Sequence, residues 1–362
     1  MKIHADYPGG NIKVISIDGD TVNVENELRT TKEDWFYFSF CVEGAEGKTL
    51  TFNFVNGRNR IGYWGPAISY DYKAWHWLDI PGASTPFSFT YTFGPDESKV
   101  YFSQGIQYMP ERFDALAEEI GLVKEKFSLS LKGRQMYSYT LGTGEKEVIL
   151  ASRHHACEAT GTYIIEGVLR ELSEKHQDFL KKSKIFTVPF MDFDGVVDGD
   201  QGKGRVPDGF DVVHDHNRDY IDKPFYDACD KMQKRFESNS ENILGVIDCH
   251  SPWIFSGIND KVFVIHRDDV GDKIVNFSKL FVEESKELPF RHHEEDFFPA
   301  NTEWNSDLGP KCITSVVKRV PNCKFAFTLE TAYYGTEGNK ATQESIPLLG
   351  RALGRSIVKS LS

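Results

Sequence analysis

The chain of 362 residues has no C-x-x-C pair among its six cysteines, no apolar run long enough to cross a bilayer, and 42 basic residues against 54 acidic ones. Each shortage excludes something. Single cysteines at Cys41, Cys157, Cys229, Cys249, Cys312 and Cys323 exclude a disulfide framework and predict reduced thiols. The opening "MKIHADYPGGNIKV" lacks the apolar core of a secretory signal, so a cytoplasmic setting is expected. A formal charge of -12 argues against nucleic acid or an anionic membrane as the main partner. No internal repeat or low-complexity tract is visible.

What the sequence does have is aromatic alternation in its first third. Phe36, Phe38 and Phe40, then Leu50, Phe52 and Phe54, then Phe87, Phe89, Tyr91 and Phe93 fall at every second position between Gly, Asn and Pro punctuation. That pattern predicts half-buried antiparallel strands over residues 1–108, packed as a small β-sandwich. After a short helix at "PERFDALAEEIG", apolar runs alternate with longer amphipathic segments. Residues 109–362 are therefore expected to form an α/β domain with a mixed, largely parallel sheet covered by helices. Its strands are "EVILA", "KIFTVPF", "NILGVIDC", "KVFVIH" and "KFAFTLE".

Chemistry-bearing residues gather where these strands end, the edge at which open α/β sheets bind ligands. His155 and Glu158 form an H-x-x-E in the turn after "EVILAS", ahead of a helix expected from Thr160. By itself this spacing more often describes a surface pair whose Glu favours a helix N-terminus. A second apolar strand ends on Asp248, Cys249 and His250. Two imidazoles and one carboxylate around zinc, with a fourth position for water, make a hydrolytic site. Asp248 is placed to orient an imidazole from behind. Glu330 ends another apolar strand, where desolvation would raise its pKa into the range useful for proton transfer. Asn217 and Arg218, in the loop "HDHNRDY", put an amide beside a guanidinium, a pair suited to a carboxylate.

In this order the four motifs resemble the zinc carboxypeptidases of the M14 family, especially their cytosolic carboxypeptidase-like branch, which also carries a β-sandwich ahead of its catalytic domain. The resemblance spans roughly residues 30–340. It implies a zinc ion held by His155, Glu158 and His250, Glu330 as general base, and Asn217 with Arg218 as the anchor for a peptide's terminal carboxylate. The family's N-P-D-G turn is matched imperfectly by Asp192–Gly195. The family's oxyanion-stabilising arginine would be Arg205, with Lys203 as second choice. The implied substrate is the C-terminus of a peptide or protein.

Several residues depart from the family pattern. Cys157 stands inside the zinc motif, where it could crowd the ion or be oxidised. Thr314 and Ser315 stand where deglutamylating members carry a basic residue, which argues against glutamate tails; Lys318 or Arg319 would substitute in a shifted register. Trp304 and Tyr334 are candidates for a substrate-capping ring. His154 is expected to be structural, and "RHHEEDFF" (291–298) to be a solvated or lid segment. Two other functions share these motifs: a zinc deacylase of N-acyl amino acids related to aspartoacylase, and a peptide-binding protein without turnover.

Overall fold

The computed structural model describes residues 1–57, 60–79, 85–204, 206–207, 209–254, 261–265, 272–298, 311–315 and 320–362. Two N-terminal sheets face each other across a phenylalanine core. One is ordered Lys2–His4, Ser39–Glu43, Lys99–Ser103, Ala67–Ser69, His76–Trp77; the other runs Lys13–Asp18, Thr21–Glu25, Thr49–Phe54, Ser88–Thr92. All neighbours are antiparallel except Thr21–Glu25 and Thr49–Phe54, which are parallel. Phe40 and Phe102 from the first sheet meet Phe52 and Phe89 from the second at ring separations of 5.1–6.4 Å. Two aromatics depart from the expected alternation: Phe87 is exposed, and Phe36 turns out of the sandwich into the other core.

The second part is an eight-stranded mixed sheet flanked by helices. Its centre is parallel: Ser183–Val188, Lys146–Ser152, Ile243–His250 and Phe325–Thr331 lie side by side. Their apolar runs are buried on both faces, which is why they are nearly continuous. Val148, Leu150, Ile247, Phe325, Phe327 and Leu329 join the core beneath the helices Thr160–Lys175 and Ser345–Ser360. The intervening Ile149, Ala151, Val246 and Ala326 join the core beneath the helix Asp227–Ser238. An antiparallel hairpin, Val123–Leu129 and Gln135–Leu141, extends one edge. The strand at Val262–Ile265 is antiparallel to Phe325–Thr331. All six cysteines are buried. Among the described residues, no helix is long and apolar enough to cross a membrane.

The helices Thr160–Lys175 and Ser345–Ser360 touch backbone to backbone through two glycines. A Cβ on Gly350 would stand 2.3 Å from the carbonyl oxygen of Ile164, and one on Gly167 would stand 2.1 Å from that of Pro347. Neither carbonyl can retreat without moving its helix. Gly350→Val is therefore expected to cost on the order of 3 kcal/mol of unfolding free energy, read from a denaturant midpoint; an unchanged midpoint would show that this contact is not tight.

The parallel centre places its four C-terminal ends at one edge. Ser152 stands in register with Cys249, and His250 with Glu330. Thr160, first residue of its helix, donates its hydroxyl to the carbonyl of Thr331 at 3.1 Å. The three motif-bearing segments are thus locked to one another before any ligand is considered.

Candidate functional site

The chain leaves the strand Lys146–Ser152 through Arg153, a non-glycine residue in the left-handed region at φ +60°. The buried Arg153 guanidinium donates to the carbonyl oxygens of Ala156 at 2.7 Å and Tyr108 at 3.0 Å. This costly conformation is held from both sides, and it turns the following residues back over the sheet edge. His155 and Glu158 lie in that turn, both buried.

Glu158 is the hub. His155 Nδ1 lies 2.7 Å from its Oε1 and His250 Nδ1 lies 2.8 Å from its Oε2, while Ser251 N–H donates to Oε2 at 3.1 Å. The ligand-type atoms of His155, Glu158 and His250 fall within 4.8 Å of one another. Behind them stand more carboxylates. His250 Nε2 is 2.8 Å from Asp248 Oδ2. His155 Nε2 is 3.3 Å from Asp215 Oδ1, close enough for charge pairing but not aligned as a hydrogen bond. Each imidazole thus turns Nε2 to a carboxylate and Nδ1 to the common centre, the outer-shell support found around metal-bound histidines.

Charge follows the same layout. Burial would raise the carboxyl pKa of Glu158, but the imidazoles of His155 and His250 outweigh it and hold the group far below its ordinary value. Asp215, paired with His155, and Asp248, paired with His154 and His250, are depressed against burial in the same way. Glu330 behaves oppositely. Burial is the main cause and the Glu158 charge adds to it, and its pKa is raised to about 7. Among the described residues its buried Oε2 finds no hydrogen-bond partner, and neither does Asn217 Oδ1. Two Nδ1 atoms and a carboxylate converging on one buried centre fit a divalent cation.

His250 also belongs to a second cluster with His154 and Asp248. There His154 Nδ1 is 2.8 Å from Asp248 Oδ1 and its Nε2 is 2.8 Å from the Tyr220 hydroxyl. Asp248 thus bridges His154 and His250, on the Nε2 side of His250, whereas Glu158 stands at its Nδ1.

Asn217 and Arg218 sit in a short 3-10 turn, His216–Arg218, capped by Asp215, which accepts from Asn217 N–H at 2.8 Å. Arg218 Nη1 donates to the carbonyl of Asn217 at 2.8 Å. The same Asp215 reaches His155, so the turn is tied directly to the His155 loop. Arg205, Lys318, Arg319 and Trp304 lie outside the described residues. Lys203 is described, and its charge is felt by His155, Asp215 and Glu330 alike.

Three expectations are corrected. Cys157 does not crowd the centre: its sulfur accepts from Trp35 Nε1 at 3.5 Å and lies 3.6 Å from the Tyr333 hydroxyl, and burial pushes its pKa up to about 11. Tyr334 is not a mobile cap, since it is buried and its hydroxyl accepts from Gln104 Nε2 at 2.6 Å. His292 in "RHHEEDFF" is a core residue, 2.8 Å from Ser278 Oγ and 2.8 Å from the Val262 carbonyl, stacked on Phe281. Asp192 of "DFDG" caps the helix Phe193–Asp198 by accepting from Gly195 N–H at 3.0 Å. Thr314 and Ser315 are both buried.

Residues 3–104 match the family described as the cytosolic carboxypeptidase N-terminal domain. The whole chain shares its fold with a metallo-carboxypeptidase from Burkholderia cenocepacia, at TM-score 0.77, 19% identity and coverage of 99% and 98% of the two chains. It also superposes on a metallo-carboxypeptidase from Pseudomonas aeruginosa, solved with (2-guanidinoethylmercapto)succinic acid, at TM-score 0.80, 19% identity and full coverage of both. The carboxypeptidase A of Helicoverpa armigera aligns with 70% of this chain and 72% of its own, at TM-score 0.53 and 13% identity. A curated relative, an uncharacterized protein of Zymomonas mobilis, is 26% identical over 209 residues; the match covers 54% of this chain and about half, 54%, of that relative. The sandwich followed by a carboxypeptidase-like α/β fold, expected from the motifs, is borne out.

Proposed function

We propose that this chain is a zinc metallo-carboxypeptidase that removes single residues from the C-terminus of peptides. The observation that supports this most is the convergence of His155, Glu158 and His250 on one centre, with Glu330 in register beside His250 and the Asn217–Arg218 turn tied to the same loop through Asp215. In this reading residues 109–362 carry the chemistry, and residues 1–108 form a separate N-terminal domain. His155 and His250 would hold zinc through Nδ1, and Glu158 through its carboxylate. The bound ion would supply Lewis acidity, polarising the scissile carbonyl and lowering the pKa of the attacking water.

The chain's own groups do the rest. Glu330 accepts a proton from the water as its oxygen bonds to the carbonyl carbon, then passes that proton to the nitrogen of the breaking C–N bond. Lys203 or Arg205 offsets the negative charge that grows on the carbonyl oxygen. Arg218 and Asn217 hold the substrate's terminal carboxylate, so that only the last peptide bond reaches Glu330.

Paired peptides that differ only in a free or amidated C-terminus test this reading by mass spectrometry. The free peptide should be shortened by one residue with kcat/KM roughly 100-fold higher than its amide; equal cleavage of both would refute the clamp. Asp248→Asn should weaken zinc binding about 10–100-fold, measured by chelator competition, because His250 loses the carboxylate that orients it. Unchanged affinity would mean that Asp248 has no part in the centre.

A further inference from the structure

The loop 199–204, which carries Lys203, lies in the second part of the chain, but residues of the first part hold it. Tyr37 N–H donates to Gln201 Oε1 at 2.7 Å, and Gln201 Nε2 donates back to the Tyr37 carbonyl at 3.0 Å and to the Glu27 carbonyl at 3.1 Å. Asn11 Nδ2 donates to the carbonyl of Gly199 at 2.7 Å, and Lys32 N–H to that of Gly204 at 3.2 Å. Gln201 is fully buried. Its amide answers both backbone groups of Tyr37 as a neighbouring strand would, and losing it would leave those groups buried and unsatisfied.

Gly202 presses this loop onto the one that carries His155 and Glu158. A Cβ there would stand 1.9 Å from the backbone nitrogen of Ala156, the residue after His155, and its φ is +83°; both demand glycine. Lys203 therefore emerges beside the His155 turn. Its ammonium lies 5.5 Å from the centre of the Trp35 ring, and Trp35 Nε1 donates to Cys157, the neighbour of Glu158, at 3.5 Å. That ring is fixed in turn by stacking on Trp253, with centroids 5.8 Å apart and planes within 1°. Addition of water to the scissile carbonyl moves the π pair onto oxygen, and a cation already in place stabilises that charge without reorganising. A lysine ammonium rides on a flexible four-carbon stem, so it does this only where backbone and stem are held.

We propose that Lys203 stabilises the oxyanion and that Gln201, bridged to the Tyr37 backbone, is the positioning residue that holds it in place. The N-terminal domain thereby sets the rate of a reaction carried out in the second domain. This rests on the carboxypeptidase reading, which left Lys203 and Arg205 as alternatives.

The test is steady-state shortening of a peptide with a free C-terminus by the zinc-loaded full chain, in Lys203→Met, in Gln201→Met and in both together. Lys203→Met should lower kcat about 10²–10³-fold, as loss of one oxyanion donor does, with KM little changed. A peptide phosphonate, whose P–O⁻ mimics the oxyanion, should lose affinity for this variant in the same proportion as kcat/KM. Gln201→Met keeps the volume and loses the bonds; it should lower kcat about 10–100-fold and cost nothing further once Lys203 is Met. A merely structural role would give the same loss in both backgrounds. Gln201→Glu, which keeps the acceptor for Tyr37 N–H, should fall between and carries the same comparison if Gln201→Met does not fold. Unchanged kcat in Lys203→Met, or additive losses for Gln201, overturns the proposal while peptide shortening stands. If the wild type shortens no peptide, the carboxypeptidase reading falls and the proposal with it.

Discussion

Glu330→Gln is expected to lower kcat/KM for C-terminal hydrolysis by about 10²–10⁴-fold, the usual contribution of a positioned general base, with zinc content unchanged. The amide keeps the shape and much of the polarity of the carboxyl group, so packing at the strand end survives. What it loses is the ability to accept the water's proton. Glu330 is not in the group of converging ligand atoms, so the metal should stay. The pH profile gives an independent check. A base works only when deprotonated, so activity falls as pH drops through its pKa. Burial and the Glu158 charge raise that pKa to about 7, and a bound dication would draw it down. The acid limb of the wild type is therefore expected at or below about pH 7, and the residual activity of Glu330→Gln should lack it. Full activity in the variant, or an unchanged acid limb, would assign the limb and the proton transfer to another group.

His250→Ala should have the second largest effect, because His250 serves two functions. As a ligand its removal should take bound zinc from near one equivalent to near zero and abolish turnover. As the partner of Glu158 and Asp248, its removal leaves two buried carboxylates facing a void, and breaking buried pairs costs about 3–5 kcal/mol. The readout that separates these effects is thermal unfolding with and without zinc. Ligand binding to the folded state alone stabilises it by about 4 kcal/mol at a thousandfold excess over Kd. The wild type should show this zinc-dependent rise in Tm, and His250→Ala should not. A variant that still gains stability from zinc would place the ion elsewhere, for instance among His4, Cys41 and Glu43, which also lie within reach of one another.

The ends of the parallel strands were legible because their chemistry is local. "EVILAS" and "NILGVIDCH" are apolar runs broken by His, Glu or Asp, and a strand buried on both faces has no room for such groups except at its end. The same logic reached Glu330. The edge hairpin over 123–141 carried no clear signal because "VKEKFSL" has a run of three charged residues and little apolar periodicity. Phe36 was assigned to the sandwich because alternation cannot show that a segment leaves its sheet. Asp215 stood in plain view within "DHNR", but its contact with His155 spans sixty residues and had no local signal. Trp35 is further still from Cys157 and Trp253, and only the packed chain reveals that an N-terminal residue lies against the site.

The most direct measurement of the central claim is mass spectrometry of an unbiased peptide library after incubation with the zinc-loaded chain, its chelated form and Glu330→Gln. Loss of single C-terminal residues by the zinc-loaded wild type alone is the expected result. Release of acyl groups from N-acyl amino acids without peptide shortening would instead identify a deacylase, and an inert library with zinc fully bound would identify a binding protein; either outcome contradicts carboxypeptidase chemistry at this site.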